Sequence, residues 1–190
     1  MRLGWLVLPA LLFLAGCAAS APGLPVREEI APGVSLTLPS RPPFGTEANA
    51  TQLVRASYGG RNDRFQAAVE TTPLRFALAM TVPSGPRLMT IEWHEGAVVV
   101  RNGIAPRGLP ARRLLADFML VYASDEALRA ALSGGDLIVS GSGARRIFRN
   151  GELLVEVRRP TGNVWEGPAR LRNFAYDYEL AIDSHWVAPQ

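Results

Sequence analysis

The chain has 190 residues, with 20 basic and 17 acidic side chains, two histidines and a single cysteine. Every basic residue is arginine, so the high isoelectric point reports guanidinium chemistry, and a formal net charge of +3 gives no footprint for nucleic acid. One cysteine excludes a disulfide within the chain, leaving burial to hold the fold.

Met1-Arg2 leads with a positive charge, and residues 3–13 (LGWLVLPALLF) are almost wholly apolar. That run is too short for a spanning helix, which takes about 20 apolar residues. Leu14-Ala15-Gly16-Cys17 follows directly and reads as a lipobox at the end of a signal peptide over 1–16. Cleavage leaves 174 residues, with Cys17 as the lipidated N-terminus. Diacylglycerol on sulfur and an acyl chain such as palmitate on nitrogen exceed the two-signal threshold for stable anchoring. Ala18 stands where an Asp would retain an enteric-type lipoprotein at the inner membrane, which places the expected anchor on the periplasmic face of the outer membrane.

Residues 17–48 carry the lipidated cysteine and many Pro, Ala, Ser and Gly, and read as a flexible or semi-extended tether, with Val34 to Leu38 against the domain. A domain over 49–186 and a tail over 187–190 complete the expected organisation. From Thr51 the apolar period becomes two. Val54, Ala56 and Tyr58 share one face; Gly59-Gly60-Arg61-Asn62 turns the chain; Phe65, Ala67 and Val69 alternate against Arg64, Gln66 and Glu70. This is a hairpin pattern. Leu74, Phe76, Leu78, Met80 and Val82 form the strongest strand pattern of the chain. Val82-Pro83-Ser84-Gly85-Pro86 closes it with a turn. Met89, Ile91 and Trp93 lead the next strand, and Gly96 turns into Val98 to Arg101.

Residues 110–132 switch to helical spacing, with Pro110 at the first turn. Leu114, Leu115, Phe118, Met119 and Val121 make the segment apolar nearly all round, so it is buried or covers a cavity. Ser124 has the character of an N-cap for a second helix, with Asp125 and Glu126 in its first turn and Gly134-Gly135 as its stop. Strands resume at Leu137 to Ser140 and Arg145 to Arg149. Asn150-Gly151 is a type I′ hairpin signal, after which Leu153, Val155 and Val157 alternate. Arg170 to Phe174 and Tyr176 to Ile182 finish the pattern. About five strands, a helical insertion and five or six more strands predict a mainly β protein. One antiparallel sheet of that length curls, which gives an open, incomplete barrel over the central helices.

Chemistry is sparse. His94 sits beside Glu92 and Glu95 on a solvent-facing strand pattern, and His185 lies near the C-terminus; neither fits a metal-ligand spacing. There is no G-x-S-x-G elbow and no phosphate loop. With Cys17 acylated no thiol remains as nucleophile. No catalytic residue, metal or cofactor is expected. The expected site is an apolar cavity lined by Val54, Phe65, Val69, Phe76, Leu78, Met80, Met89, Ile91, Trp93, Leu115, Phe118 and Met119, where Met and aromatic side chains suit shapeless acyl chains. Substitution of Phe76 or Leu78 by a bulky or charged residue is expected to reduce ligand uptake without unfolding. The alternative is a filled core and a protein–protein interaction module. Arg145-Arg146 and Arg158-Arg159 read as a solvated face, with lipid phosphates as the other option.

Scattered positions over about 48–186 resemble LolB-like lipoproteins. They include Leu109-Pro110-Ala111 with Leu114-Leu115-Ala116-Asp117-Phe118-Met119-Leu120, and Asp125-Glu126-Ala127-Leu128-Arg129-Ala130-Ala131-Leu132. They continue through Arg145-Arg146-Ile147, Gly151-Glu152-Leu153, the hairpin Tyr58-Gly59-Gly60-Arg61 to Glu70, and Leu171-Arg172-Asn173-Phe174 with Tyr176, Tyr178, Leu180 and Ile182. Within the LolA/LolB-like superfamily the chain is similar to an uncharacterised family of short Gram-negative lipoproteins found with aryl-polyene biosynthesis clusters. The resemblance implies an open antiparallel barrel with a helical lid, and the missing catalytic motifs lead to the expectation of no enzymatic activity. It implies binding of a lipid or acylated protein, and a periplasmic LolA-like carrier as partner. The loop at Val82 to Pro86 is the candidate for the exposed apolar loop of LolB, though it has no leucine to match.

Overall fold

A computed structural model describes residues 26–45, 47–83, 85–104 and 110–188. The signal peptide, Cys17 and the first part of the tether lie outside the described residues, as do Ser84 of the 82–86 loop, Leu109, and the last two residues.

The first described segment forms a hairpin, β1 (Arg27–Ala31) and β2 (Val34–Thr37). Five strands follow as a meander: β3 (Ala48–Tyr58), β4 (Arg61–Thr71), β5 (Arg75–Thr81), β6 (Arg87–His94) and β7 (Ala97–Asn102). Two helices interrupt it, α1 (Ala111–Tyr122) and α2 (Asp125–Ala131). Then come the short β8 (Leu132–Ser133), β9 (Asp136–Val139), β10 (Arg145–Arg149), β11 (Glu152–Arg158), β12 (Gly167–Asn173) and β13 (Tyr178–Val187).

Ten strands join in one antiparallel sheet, in the order β7-β6-β5-β4-β3-β13-β12-β11-β10-β9. The two halves of the chain meet where β3 pairs with β13, from Tyr58↔Tyr178 to Asn49↔Val187. The sheet stays open between β7 and β9. β1, β2 and β8 make a second, three-stranded sheet. The expected mainly β fold with a helical insertion is the fold observed.

The turns follow their residues. Gly59 and Gly60 both have positive φ and let Tyr58 pair directly with Arg61, a two-residue hairpin. Asn150 and Gly151 do the same for β10 and β11. Ser124 caps α2, its hydroxyl accepting from the Ala127 amide at 3.1 Å. Helix α2 stops before the two glycines because the chain has already turned into β8. Gly134 has φ +83, and a Cβ there would lie 2.1 Å from the Gly33 carbonyl oxygen, so the β2–β8 approach requires glycine.

The sheet curls around α1. The Phe118 ring lies 5.2 Å from Phe76 on β5, while α1 also packs against β11 and β12. Strands β5 and β11 are five spacings apart in the order, about 24 Å in a flat sheet. A helix of about 10–12 Å diameter meets both only if the sheet bends around it.

Val34 to Leu38 lie against the domain as expected, but the rest of residues 26–45 differs from the expected tether. Ile30, Ala31, Val34, Leu36, Leu38 and Phe44 are all buried in the main core. The Pro and Gly content hides a hairpin whose apolar positions cover α1. Phe44 packs its ring 5.0 Å from Phe76, 6.1 Å from Trp93 and 6.0 Å from Trp165. The Trp93 indole also donates to the Pro39 carbonyl at 3.2 Å. Phe44→Ala is therefore expected to cost about 3–5 kcal/mol in urea denaturation, the range for a buried aromatic. An unchanged midpoint would return this segment to the status of a tether.

Candidate functional site

The inner face of the curled sheet and the underside of α1 enclose a narrow slot. Val54, Phe65, Ala67, Leu78, Met80, Leu180 and Ile182 line it from the sheet, with Leu114 and Phe118 above them on α1. Its free volume is about 20 Å³, room for about one water. Phe65, Leu114, Phe118 and Leu180 are half-buried and mark the open end; the other apolar walls are buried.

Two polar clusters bracket this apolar stretch, and both tie α1 to β13. At the open end Tyr178 donates to the Asp117 carboxylate at 2.7 Å. At the inner end the Tyr122 and Ser184 hydroxyls are 3.1 Å apart. Gln52 completes this second cluster. Its Nε2 donates to Tyr122 Oη at 2.8 Å and to Ser184 Oγ at 3.2 Å, while its Oε1 has no partner among the described residues. Register explains the assembly: Gln52 faces Ser184 across the β3–β13 pair, on the same side as Val54 and Ala56.

Burial sets the protonation of these groups. Desolvation pushes the Asp117 carboxyl up to about 7, against the pull of the Tyr178 hydroxyl and the Arg113 charge. Desolvation also raises the Tyr122 phenol to about 12 and moves Tyr178 up, with Asp117 adding to the latter.

Arg113 clamps the start of α1 to β1. It donates to the Glu28 carboxylate at 3.3 Å and to the Ile30 and Glu29 carbonyls, and its guanidinium lies 4.7 Å from the Tyr176 ring centre. Arg145 clamps the other end. It is 1% exposed, and donates to the carbonyls of Leu120 (2.7 Å), Val121 (3.4 Å) and Ala123 (2.5 Å) and to Asp125 Oδ1 (2.6 and 2.8 Å). Desolvation, with Arg159 nearby, lowers its guanidinium to about 10, so it stays charged at neutral pH. Arg159 joins the same Asp125 oxygen at 3.2 Å. The solvated-face reading thus fails for Arg145 and Arg159, because the α1–α2 junction leaves carbonyls that need donors. Arg146 and Arg158 do reach the surface, where both pair with Glu156.

Of the expected cavity residues, Val54, Phe65, Leu78, Met80 and Phe118 line the slot. Val69, Phe76, Met89, Ile91, Trp93, Leu115 and Met119 are buried elsewhere in the core. Phe76 and Leu78 have at most 1% exposure, so a charge there would unfold the protein; the expectation of lost uptake with an intact fold is corrected. The sequence reading missed Gln52, Tyr122 and Ser184, although the period-two pattern of β3 and β13 does place Gln52 and Ser184 on the inner face. Leu180, Ile182 and Tyr178 were seen only as strand residues.

Among the described residues no group of three or more His, Cys, Asp and Glu could hold a metal, and no helix is long and apolar enough to cross a membrane. Glu92, beside His94, pairs with Arg101 at 3.1 Å and Arg75 at 3.9 Å.

No curated protein matches the chain. Among solved structures, a DUF1329 family protein from Desulfovibrio piger is similar at 10% identity, covering 75% of this chain and 85% of that one, with a TM-score of 0.32. That superposition is too loose to carry an argument. The family model described as "Protein of unknown function (DUF3261)" matches residues 49–186, nearly the whole ten-stranded sheet with both helices, and the chain belongs to that family.

Proposed function

We propose that this protein is a non-enzymatic carrier of acyl chains, held at the periplasmic face of the outer membrane by lipid on Cys17. The observation that supports this most is the slot beneath α1, an apolar groove with a half-buried apolar mouth and a helix as its cover. The resemblance of residues 48–186 to LolB-like lipoproteins and the lipobox point the same way. The cargo is a lipoprotein in transit or a lipidic product such as an aryl-polyene lipid, received from a LolA-like periplasmic carrier.

A volume of about 20 Å³ holds no acyl chain, so α1 must swing or Leu114 and Phe118 must move aside. The apparent affinity is then the intrinsic affinity reduced by the fraction of open protein. Phe118→Ala removes the ring that closes the mouth. It is expected to tighten binding of a fluorescent fatty-acid probe about tenfold. Absence of probe binding in both wild type and Phe118→Ala would sink the proposal. The filled slot also supports a second reading, a docking module with no lipid ligand. Recovery of a protein partner in pull-down, with no lipid by native mass spectrometry, would favour it.

A further inference from the structure

The slot is apolar between Asp117 at its mouth and the polar cluster at its inner end. Its lining residues on β13 are Leu180 and Ile182, and Gln52 lies at the level of Ser184, so the walls span four residues, about 13 Å of strand, around a much smaller free space. There Gln52, 3% exposed, lines it with an amide whose second polar atom is unanswered by protein. A buried amide oxygen without a donor is costly, and a purely apolar chain drawn over it would leave it so. A ligand hydroxyl removes the cost. It donates to Oε1, and if the amide is turned over it accepts from Nε2 instead, so a hydroxyl suits either orientation.

The other end of the slot sets which part of the ligand arrives there. The Asp117 carboxyl stands at the mouth, and the walls beyond it offer nothing to a charged head. A carboxylate therefore stays outside, and the tail enters. Resting on the carrier reading above, we propose that the slot selects acyl chains bearing a hydroxyl remote from the carboxylate, held by Gln52 beside Tyr122 and Ser184.

The test is displacement of a fluorescent fatty-acid probe by dodecanoic acid and by dodecanoic acids hydroxylated at the middle or the end of the chain. At least one hydroxylated isomer is expected to bind about tenfold tighter than dodecanoic acid. Gln52→Met keeps the volume and leaves Tyr122 and Ser184 paired with each other. It is expected to abolish the preference for the hydroxylated isomers over dodecanoic acid. Equal affinity of all the acids for wild type overturns the subsite alone, and means that water satisfies Gln52. A preference that survives in Gln52→Met also overturns it. Binding of none of the acids overturns the carrier reading itself. The wild-type comparison decides the matter even if the variant fails to fold.

Discussion

Arg145→Met is expected to cost about 3–5 kcal/mol of stability in urea denaturation, the range for breaking a buried pair by removing one partner. The magnitude follows from what the guanidinium satisfies. It answers the carbonyls of Leu120, Val121 and Ala123, where α1 ends without helical donors, and holds Asp125 at the first turn of α2. Methionine fills the space and answers none of them. Arg145→Lys should recover only part of the loss, because an ammonium on a flexible stem does not reproduce a planar fork on several acceptors. Adding Asp125→Ala to Arg145→Met should not restore stability, since the three carbonyls stay buried. Full rescue by lysine would show that a point charge suffices at this position, and a loss below about 1 kcal/mol in Arg145→Met would show that Arg159 alone can hold the junction.

The second large effect is a dependence on pH. The Asp117 carboxyl titrates at about 7 in the folded protein and at its ordinary 3.8 when unfolded. The folded state therefore holds the proton more tightly. Its contribution is fully present below about pH 4, falls as pH rises toward 7, and is flat above. Three pH units correspond to on the order of 4 kcal/mol. Other groups titrate as well, so the useful quantity is the difference between wild type and Asp117→Asn. Asparagine cannot ionise and still accepts from the Tyr178 hydroxyl. It should equal wild type near pH 4 and exceed it by several kcal/mol at pH 8. A difference independent of pH would mean that Asp117 is ionised in the folded state, paired with Arg113.

Much of this architecture is legible in the residues. The strands β3 to β6 announce themselves by alternation, and Gly59-Gly60 and Asn150-Gly151 by the φ values their turns demand. Helix α1 reads as buried because it is apolar nearly all round. Ser124 is where a cap should be. The misses share a cause: each depends on a partner far along the chain. Phe44 lies among prolines, and only Phe76, Trp93 and Trp165 make it a core residue. Arg145 belongs to a strand with ordinary alternation, and only the end of α1 explains its burial. Asp117 looks like the polar position of a helix until Tyr178 is placed beside it. Gln52 sits at an apolar position of its own strand, a local inconsistency visible in the sequence but meaningless without Ser184. The site is less legible than the fold because apolar alternation cannot separate a side chain that lines a groove from one that packs solid. Val54 and Val69 carry the same signal and have different neighbours.

The pairing of β3 with β13 also governs how the protein can be made. Residues 48–58 find their second neighbour only in residues 178–187, more than a hundred positions later. A chain that folds from its N-terminal half can complete the β3–β7 meander early, but β3 then offers an unpaired edge until the C-terminal strand arrives. Such long-range closure is slow and exposes the partly folded chain to association with others. A chain terminated before Tyr178 would not be a smaller version of this domain. It would be two half-sheets sharing a helix, each with a raw edge, and its expected fate is aggregation rather than partial function.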